Sequence, residues 1–397
     1  MRIGIYGGTF NPPHLGHMAA ARAAFGLLRL DKLLIIPAGI PPHKNLVAGG
    51  GAEAFHRLGM TRLAAEQLGL GDKAEVCDIE ISRGGKSYTA DTVEAIKARY
   101  PEDDLWLLMG TDMFLTLHMW YAPERIFANA TIAAFGRNKG DGEDVFAAQR
   151  RLIKKKYPNA EMLTFMVPGV IDVSSTRLRA DLADGRGGEF LAPPVLGYIM
   201  REGLYGTHTD LKSLEPDALR PIAMSYLKYK RMAHVLGTEQ EAIRLAEKYG
   251  ADVRKAQIAA LLHDCTKKLE MEQQKALCAK YGLKLDPLEN KALKLLHSKT
   301  GAEIARDVFG VDDEIYGAIK WHTTGKADMT MLEKVIYLAD YIEPNRDFPG
   351  VDKLREAVYE DIDKGLLMGL EMTINEMEER GNEVHEKTLQ ARDFLKG

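Results

Sequence analysis

Apolar runs of strand length alternate with amphipathic stretches of helical period up to about residue 205, and beyond it the strand-like runs stop. The runs Lys32–Pro37, 104–109, 130–135 and 161–167 read as buried strands. Strands that alternate with helices predict a parallel sheet covered on both faces, hence a doubly wound α/β domain. In such a sheet a ligand sits outside the carboxyl ends of the strands, where the strand order reverses. From about residue 216 helical period takes over, in 240–249, 253–263, Met331–Ile342 and 357–380, and an all-α second domain is expected. The polar stretch 206–213, followed by Pro216, reads as a connection. The expected division is therefore 1–206, a linker over 207–215, and 216–397.

Composition agrees with two cores and narrows the partners. The 397 residues exceed what one core ordinarily serves, and 46% of them are hydrophobic. With 53 Lys and Arg against 57 Asp and Glu, the net charge of −4 gives no global attraction to nucleic acid or to an anionic membrane. Any phosphate ligand must then be held locally. Cys77, Cys265 and Cys278 show no Cys-x-x-Cys spacing, which argues against a disulfide framework or a thiolate zinc site and fits a reduced cytoplasm. No apolar run approaches the ~18 residues of a membrane span, and the first glycine turn comes too early for a signal peptide. A cytoplasmic protein is expected, and association with a second copy is left open.

The segment Ile3-Gly4-Ile5-Tyr6-Gly7-Gly8-Thr9-Phe10-Asn11-Pro12-Pro13-His14-Leu15-Gly16-His17 carries a short apolar strand through paired glycines into a helix. The glycines let backbone N–H groups approach an anion, and the positive end of the helix points to the same place. His14 and His17, three apart, are expected on one face of the first helical turn beside that anion. Ile36-Pro37-Ala38-Gly39-Ile40-Pro41-Pro42-His43-Lys44 follows the second strand. Gly110-Thr111-Asp112 follows the strand ending at Met109, with Trp120-Tyr121 beyond it. Ser174-Ser175-Thr176-Arg177-Leu178-Arg179 follows the last apolar run. Strand ends far apart in sequence thus converge on one cleft.

These motifs together resemble the nucleotidyltransferase superfamily with a His-x-Gly-His signature, and within it the bacterial nicotinate-nucleotide adenylyltransferases, over residues up to about 205. The departures are Thr111 for the usual alanine and the inserted Gly49-Gly50-Gly51. The resemblance implies a Rossmann-like fold and adenylyl transfer from ATP to nicotinate mononucleotide, with Mg2+ held by phosphate oxygens rather than a protein cage. It assigns Gly7, Gly8, Thr9 and Phe10 to ATP binding, and His14 and His17 to stabilising the triphosphate as the catalytic pair. Ser174, Ser175 and Thr176 would donate to phosphates from a helix N-terminus, with Arg179 one turn on holding the β- and γ-phosphates. Trp120 would stack on the pyridine ring, Lys44 and Thr89 would face its carboxylate and the phosphate, and Asp112 would contact a ribose. Nicotinamide mononucleotide and phosphopantetheine are the alternative acceptors.

The helical half holds a second constellation: His234, His263, Asp264, His297, His322 and Asp340. Asp340 sits four residues after Ile336 on the same face of an apolar helix, where a carboxylate is costly unless it is paired or binds a metal. His263 and Asp264 close the apolar run 258–262 and diverge by about 100°, so they can clasp one ion from two sides. Four histidines and two carboxylates suffice for two metals sharing a water beside a phosphate.

This pattern resembles the HD hydrolase superfamily in its dinuclear form. The words Leu262-His263-Asp264-Cys265-Thr266-Lys267, Trp321-His322-Thr323-Thr324-Gly325 and Leu338-Ala339-Asp340-Tyr341-Ile342-Glu343-Pro344-Asn345-Arg346 look like the bacterial HD-domain family that splits diadenosine tetraphosphate symmetrically into two ADP. The resemblance makes Lys267 and Arg346 phosphate contacts, Lys267 also catalytic, and favours iron. The nitrogen and oxygen donors suit manganese or zinc as well. A reading from another class makes this half a nucleotide-sensing module, and a third makes it a phosphohydrolase of other specificity. The intact His263, Asp264 and Lys267 argue against a pure sensor.

Overall fold

The computed structural model describes residues 1–41, 51–136, 142–167 and 173–397, and these form two compact units, Met1–His208 and Thr209–Gly397. In the first unit β1 (Arg2–Gly8), β2 (Lys32–Pro37), β3 (Ala74–Val76), β4 (Asp104–Gly110), β5 (Thr131–Gly136) and β6 (Met162–Met166) build one parallel sheet in the order β3-β2-β1-β4-β5-β6. The central register sets Ile5 opposite both Leu34 of β2 and Leu107 of β4.

The strands are almost continuously apolar because helices cover both faces, so alternate residues feed two cores. Tyr6, Leu33, Ile35 and Leu108 enter one core, with Ala20 and Ala24 of the Leu15–Leu27 helix and Met60 of the Ala54–Glu66 helix. Ile5, Leu34, Ile36 and Leu107 enter the other, with Val93 and Ile96 of the Thr89–Arg99 helix. Each fully buried Ile or Leu contributes on the order of 2 kcal/mol from area removed from water. The strand order reverses between β1 and β4, so the connections leaving their carboxyl ends turn to opposite sides and open a crevice there. Gly8 at that crevice has no room for a side chain: a Cβ would lie 2.9 Å from the Phe10 ring, and Phe10 itself holds a left-handed φ of 47°.

Among the described residues the second unit is helical throughout. The Tyr229–Tyr249 helix ends at Gly250, whose φ of 72° is left-handed. The Val253–Leu262 helix starts on Asp252, whose carboxylate accepts the Lys255 N–H at 2.9 Å. The Met331–Ile342 helix starts on a Thr330/Glu333 capping box. These caps fix the ends of three helices that pack against one another, and Val235, Ala259 and Val335 on them are buried. The single helical stretch expected over 357–380 is corrected to two helices, Val351–Glu360 and Ile362–Glu379. Asp361 is extended between them and accepts the Lys364 N–H at 2.8 Å, a break that no glycine or proline announces. Gly365 then lets the pair fold back closely, since a Cβ there would stand 2.6 Å from Val358 Cα.

The stretch expected as a linker, 207–215, straddles the division after His208. From Thr209 onward its contacts are with the second unit: Lys212 lies against Gly310, and Glu215 pairs with Arg254 at 3.0 Å. No helix among the described residues is long and apolar enough to cross a membrane.

Candidate functional site

Each unit carries one site. In the first, a cleft of about 710 Å³ at the ends of β1 and β4 is lined by Gly7, Gly8, Thr9, Phe10, His14, His17, Thr89, Asp112, Trp120, Ser174, Ser175, Thr176 and Arg179. Lys44, expected here too, lies outside the described residues.

The histidines are brought together in a different way from the expected shared helical face. His14 is the N-cap of the Leu15–Leu27 helix, with extended φ −104° and ψ 169°, and only His17 is helical. The His14 backbone N–H donates to His17 Nδ1 at 3.2 Å, and the rings lie with centroids 3.6 Å apart and planes inclined by 32°. An Nδ1 that accepts leaves the proton of the neutral ring on Nε2.

Ser174 is the N-cap of the Ser175–Ala183 helix, yet its hydroxyl makes no capping hydrogen bond and is not consumed by the helix. Arg179 donates from Nη1 to Asn11 O at 3.0 Å and to Ser175 O at 3.2 Å, which ties that helix to the histidine loop. Asn11 Oδ1 accepts the Tyr205 hydroxyl at 2.6 Å and the Ala52 N–H at 3.1 Å. Burial pushes the Tyr205 hydroxyl well above its ordinary pKa and so keeps it a donor.

On the other side of the cleft, Thr89 opens its helix and Asp112 lies in the first turn of the Thr111–Thr116 helix. Trp120 donates from Nε1 to Thr116 Oγ1 at 3.1 Å, and it both packs on the core and lines the cleft. Tyr88 and Tyr121, whose rings lie 4.6 Å apart, line it as well.

Sequence reasoning missed Arg57. This fully buried arginine donates to Thr9 O at 2.9 Å and to Gly39 O at 2.8 Å, joining the loop after β1 to the segment after β2. Burial lowers its pKa, though a guanidinium keeps its charge. An arginine on an amphipathic helix reads as a solvated face, so no local signal marks it.

In the second unit all six expected ligands converge, all buried except the half-buried Asp340. His234 Nε2 lies 3.0 Å from Asp340 Oδ1 and 3.4 Å from His263 Nε2. His297 Nε2 lies 3.2 Å from Asp264 Oδ1 and 3.0 Å from His322 Nε2. Asp264 stands between the two groups, with Oδ2 3.5 Å from His263 Nε2.

The chemistry of this donor set fits bound cations. The Nδ1 atoms of His263, His297 and His322 face the carbonyls of Ala260, Lys294 and Ile319 at 2.6, 2.7 and 2.6 Å. A carbonyl only accepts, so each ring carries its proton on Nδ1, and the Nε2 lone pairs then face one another and the carboxylates. Such a cluster is repulsive without positive charge at its centre. Burial would raise Asp264, yet His263, His297 and Lys267 hold it well below the usual carboxylate range. Asp340 is held down in the same way, against burial, by His234 and His263. Burial, with His297 and His263 nearby, pushes His322 well below its ordinary value and so keeps Nε2 bare. At His263 burial acts downward, but Asp264 outweighs it and raises that ring's pKa.

Three basic side chains border these ligands. Lys267 Nζ is 2.9 Å from His297 Nε2, and burial lowers its pKa. Arg346 donates from Nη2 to Asp340 Oδ1 at 2.7 Å. Arg231, which sequence reasoning missed, donates from Nε to Asp264 Oδ2, and its Nη2 is 3.8 Å from Asp340 Oδ1. Its signal was available, since it precedes His234 by three residues on the same helical face. In another cluster, Asp286, Glu289 and His385, Lys299 pairs with Glu289, and His385 Nδ1 accepts the Lys387 N–H at 3.1 Å.

Comparison with known proteins separates the two halves in the same way. A cytidylyltransferase-like family model matches residues 5–181, and an HD domain model matches residues 231–345. A "Probable nicotinate-nucleotide adenylyltransferase" of Desulfatibacillum aliphaticivorans is 37% identical over 224 residues, covering 52% of this chain and 100% of that protein. A "Bis(5'-nucleosyl)-tetraphosphatase, symmetrical" of Bacillus subtilis is 43% identical over 145 residues, covering 36% of this chain and 77% of that protein. A crystal structure titled as a "predicted HD superfamily hydrolase involved in NAD metabolism" from Clostridium acetobutylicum is 42% identical, covering 46% of this chain and 97% of that one, with a TM-score of 0.45.

Proposed function

The chain belongs to the nicotinate-nucleotide adenylyltransferases through its first unit and to the HD-domain hydrolases through its second, and from that premise we propose a cytoplasmic enzyme with two independent reactions. Residues 1–206 transfer the adenylyl group of ATP to nicotinate mononucleotide. Residues 216–397 hydrolyse diadenosine tetraphosphate to two ADP with a metal pair.

The observation that carries the first assignment is the adjacent His14 and His17 lining one cleft with Ser174, Thr176 and Arg179. The acceptor's phosphate oxygen attacks the α-phosphorus of ATP, the P–O bond to the β-phosphate breaks, and pyrophosphate leaves. His17 donates from Nε2 to the charge that develops on the triphosphate, and Arg179 with the Ser174 to Thr176 donors takes the departing pyrophosphate. Gly7, Gly8, Thr9 and Phe10 bound the ATP side, and Mg2+ enters with the phosphates. On the acceptor side Trp120 stacks on the ring, Thr89 and Lys44 meet the carboxylate and phosphate, and Asp112 holds a ribose.

The convergence of four imidazole nitrogens on Asp264 and Asp340 supports the second. His234, His263, Asp264, His297, His322 and Asp340 would hold two cations, with iron favoured by family and manganese or zinc suited by the same donors. Bound there, the metals would activate water and neutralise phosphate charge. Lys267, Arg346 and Arg231 supply the cations that take the phosphate oxygens, leaving their present partners to do so. Cleavage between the second and third phosphates releases ADP from each half.

Incubating the full chain with each substrate pair tests both readings. Nicotinate adenine dinucleotide plus pyrophosphate is expected from ATP and nicotinate mononucleotide. ADP alone is expected from diadenosine tetraphosphate. ATP with AMP would move the second site to another specificity, and tight nucleotide binding without turnover would favour a sensor.

A further inference from the structure

His234 differs from the other three histidines of the cluster in what supports it. His263, His297 and His322 each lean on a neutral carbonyl, whereas His234 Nδ1 faces the Glu343 carboxylate, Oε1 at 3.1 Å. Glu343 is almost wholly buried. Its second oxygen, Oε2, accepts the Asn345 backbone N–H at 2.7 Å and the Asn345 side-chain N–H at 2.8 Å. Asn345 Nδ2 also donates to Ala233 O at 3.0 Å, beside His234 in sequence. Arg355 donates to Glu343 O at 3.1 Å and to Ile342 O at 3.0 Å, which pins the turn that carries the carboxylate. Gly237, one turn beyond His234, makes room for the group, since a Cβ there would fall against Glu343 Oε2 and 2.9 Å from Asn345 Nδ2.

We infer that Glu343 is a positioning residue that fixes the tautomer of His234 and makes the His234 half of the metal pair the tighter of two unequal positions, an inference that rests on the dinuclear reading above. The carboxylate accepts the Nδ1 proton, so Nε2 is the nitrogen left for a cation, and the anion makes that nitrogen more basic than a carbonyl would. The other half, formed by Asp264, His297 and His322, has neutral supports and faces the Lys267 ammonium, which any cation there must share space with or displace. The His234 half has cations to displace as well, since Arg346 donates to Asp340 Oδ1 and Arg231 to Asp264 Oδ2, so the Glu343 carboxylate is what sets the two halves apart.

Replacement by glutamine inverts the arrangement without changing its size. The two Asn345 N–H donors claim the single amide oxygen of the glutamine, so its NH2 turns to His234 Nδ1. Nδ1 must then accept, and the proton moves to Nε2, where it blocks a metal.

The test is titration of the metal-stripped full chain with Mn2+ alone, read by calorimetry and by the resonance of free Mn2+. Wild type is expected to take two equivalents in two steps. Glu343→Gln should lose the tighter step by at least about tenfold, the lower end for such supporting carboxylates, and keep the weaker one. Selective 15N labelling of histidine should show one ring changing from the Nδ1–H to the Nε2–H form. Adenylyl transfer by the other unit should not change. If the glutamine variant does not fold, Gly237→Ala, which crowds the carboxylate with one methyl, carries the same expectation. A variant that binds both equivalents with wild-type affinity, or that loses both, overturns the role of Glu343. A wild-type chain that binds fewer than two equivalents overturns the dinuclear reading itself.

Discussion

The backbone N–H of His14 donates to Nδ1 of His17 at 3.2 Å, so the cap of one helix sets the tautomer of the ring three residues on. On the proposed function that ring donates from Nε2 to a phosphate of ATP. His17→Ala should lower adenylyl transfer by on the order of 10²-fold, as expected for loss of a donor to developing charge. Hydrolysis in the second unit should be unaffected. Steady-state rates with ATP and nicotinate mononucleotide measure it, and an unchanged rate would end the assignment.

On the proposed function acceptor choice depends on Lys44, Thr89 and Trp120, of which Thr89 and Trp120 line the cleft. A single charge-assisted contact to the ring carboxylate predicts a preference for nicotinate over nicotinamide mononucleotide of at least about tenfold in kcat/KM. Competition between the two acceptors measures it directly. Equal efficiencies would remove carboxylate recognition from the first unit.

Asp264 touches both halves of the second cluster, His263 through Oδ2 and His297 through Oδ1. Asp264→Asn or His263→Ala should therefore remove bound metal together with hydrolysis, with transfer in the first unit intact. Elemental analysis of the purified variants and the yield of ADP check this. Metal retained at the wild-type ratio would separate these side chains from any ion.

Arg57→Met deletes the donors to Thr9 O and Gly39 O. The buried Gly39 carbonyl left unpaired costs roughly 1–3 kcal/mol and the partly exposed Thr9 carbonyl less, partly offset because a buried charge disappears with them. The larger effect falls on the loops they hold, and adenylyl transfer should fall at least about tenfold while the first unit stays folded. Arg57→Lys, which keeps the charge without the two-pronged donor, should lie between. Wild-type kinetics in the methionine variant would make Arg57 a packing residue only.

What the sequence shows of this molecule follows the range of each interaction. β2 and the Met331–Ile342 helix were legible to the residue because their apolar periods are clear and their ends are marked. β3 was not, since Ala74–Val76 is short and half-buried and joins the sheet only by pairing with Leu33, Leu34 and Ile35. The break at Asp361 was hidden because an aspartate cap inside a helical period carries no glycine or proline. In the second cluster the ligands stood out as polar residues in apolar runs. Glu343 did not, because it lies just past the end of its helix and only packing brings it to His234, more than a hundred residues away, while the one sign of Arg231 was its place three residues before His234 on the same helical face.

The hydroxyl that Asn11 accepts belongs to Tyr205, 194 positions along the chain. Synthesis therefore finishes the phosphate loop's first half almost at once and its last strut only near the close of the first unit. Until Arg179 and then Tyr205 have left the ribosome, the loop that carries His14 and His17 has neither the guanidinium on Asn11 O nor the phenol on Asn11 Oδ1. A chain truncated short of residue 205 thus contains every motif of the first site and lacks the strut on Asn11, and on the proposed function it should hold ATP more weakly than the full chain.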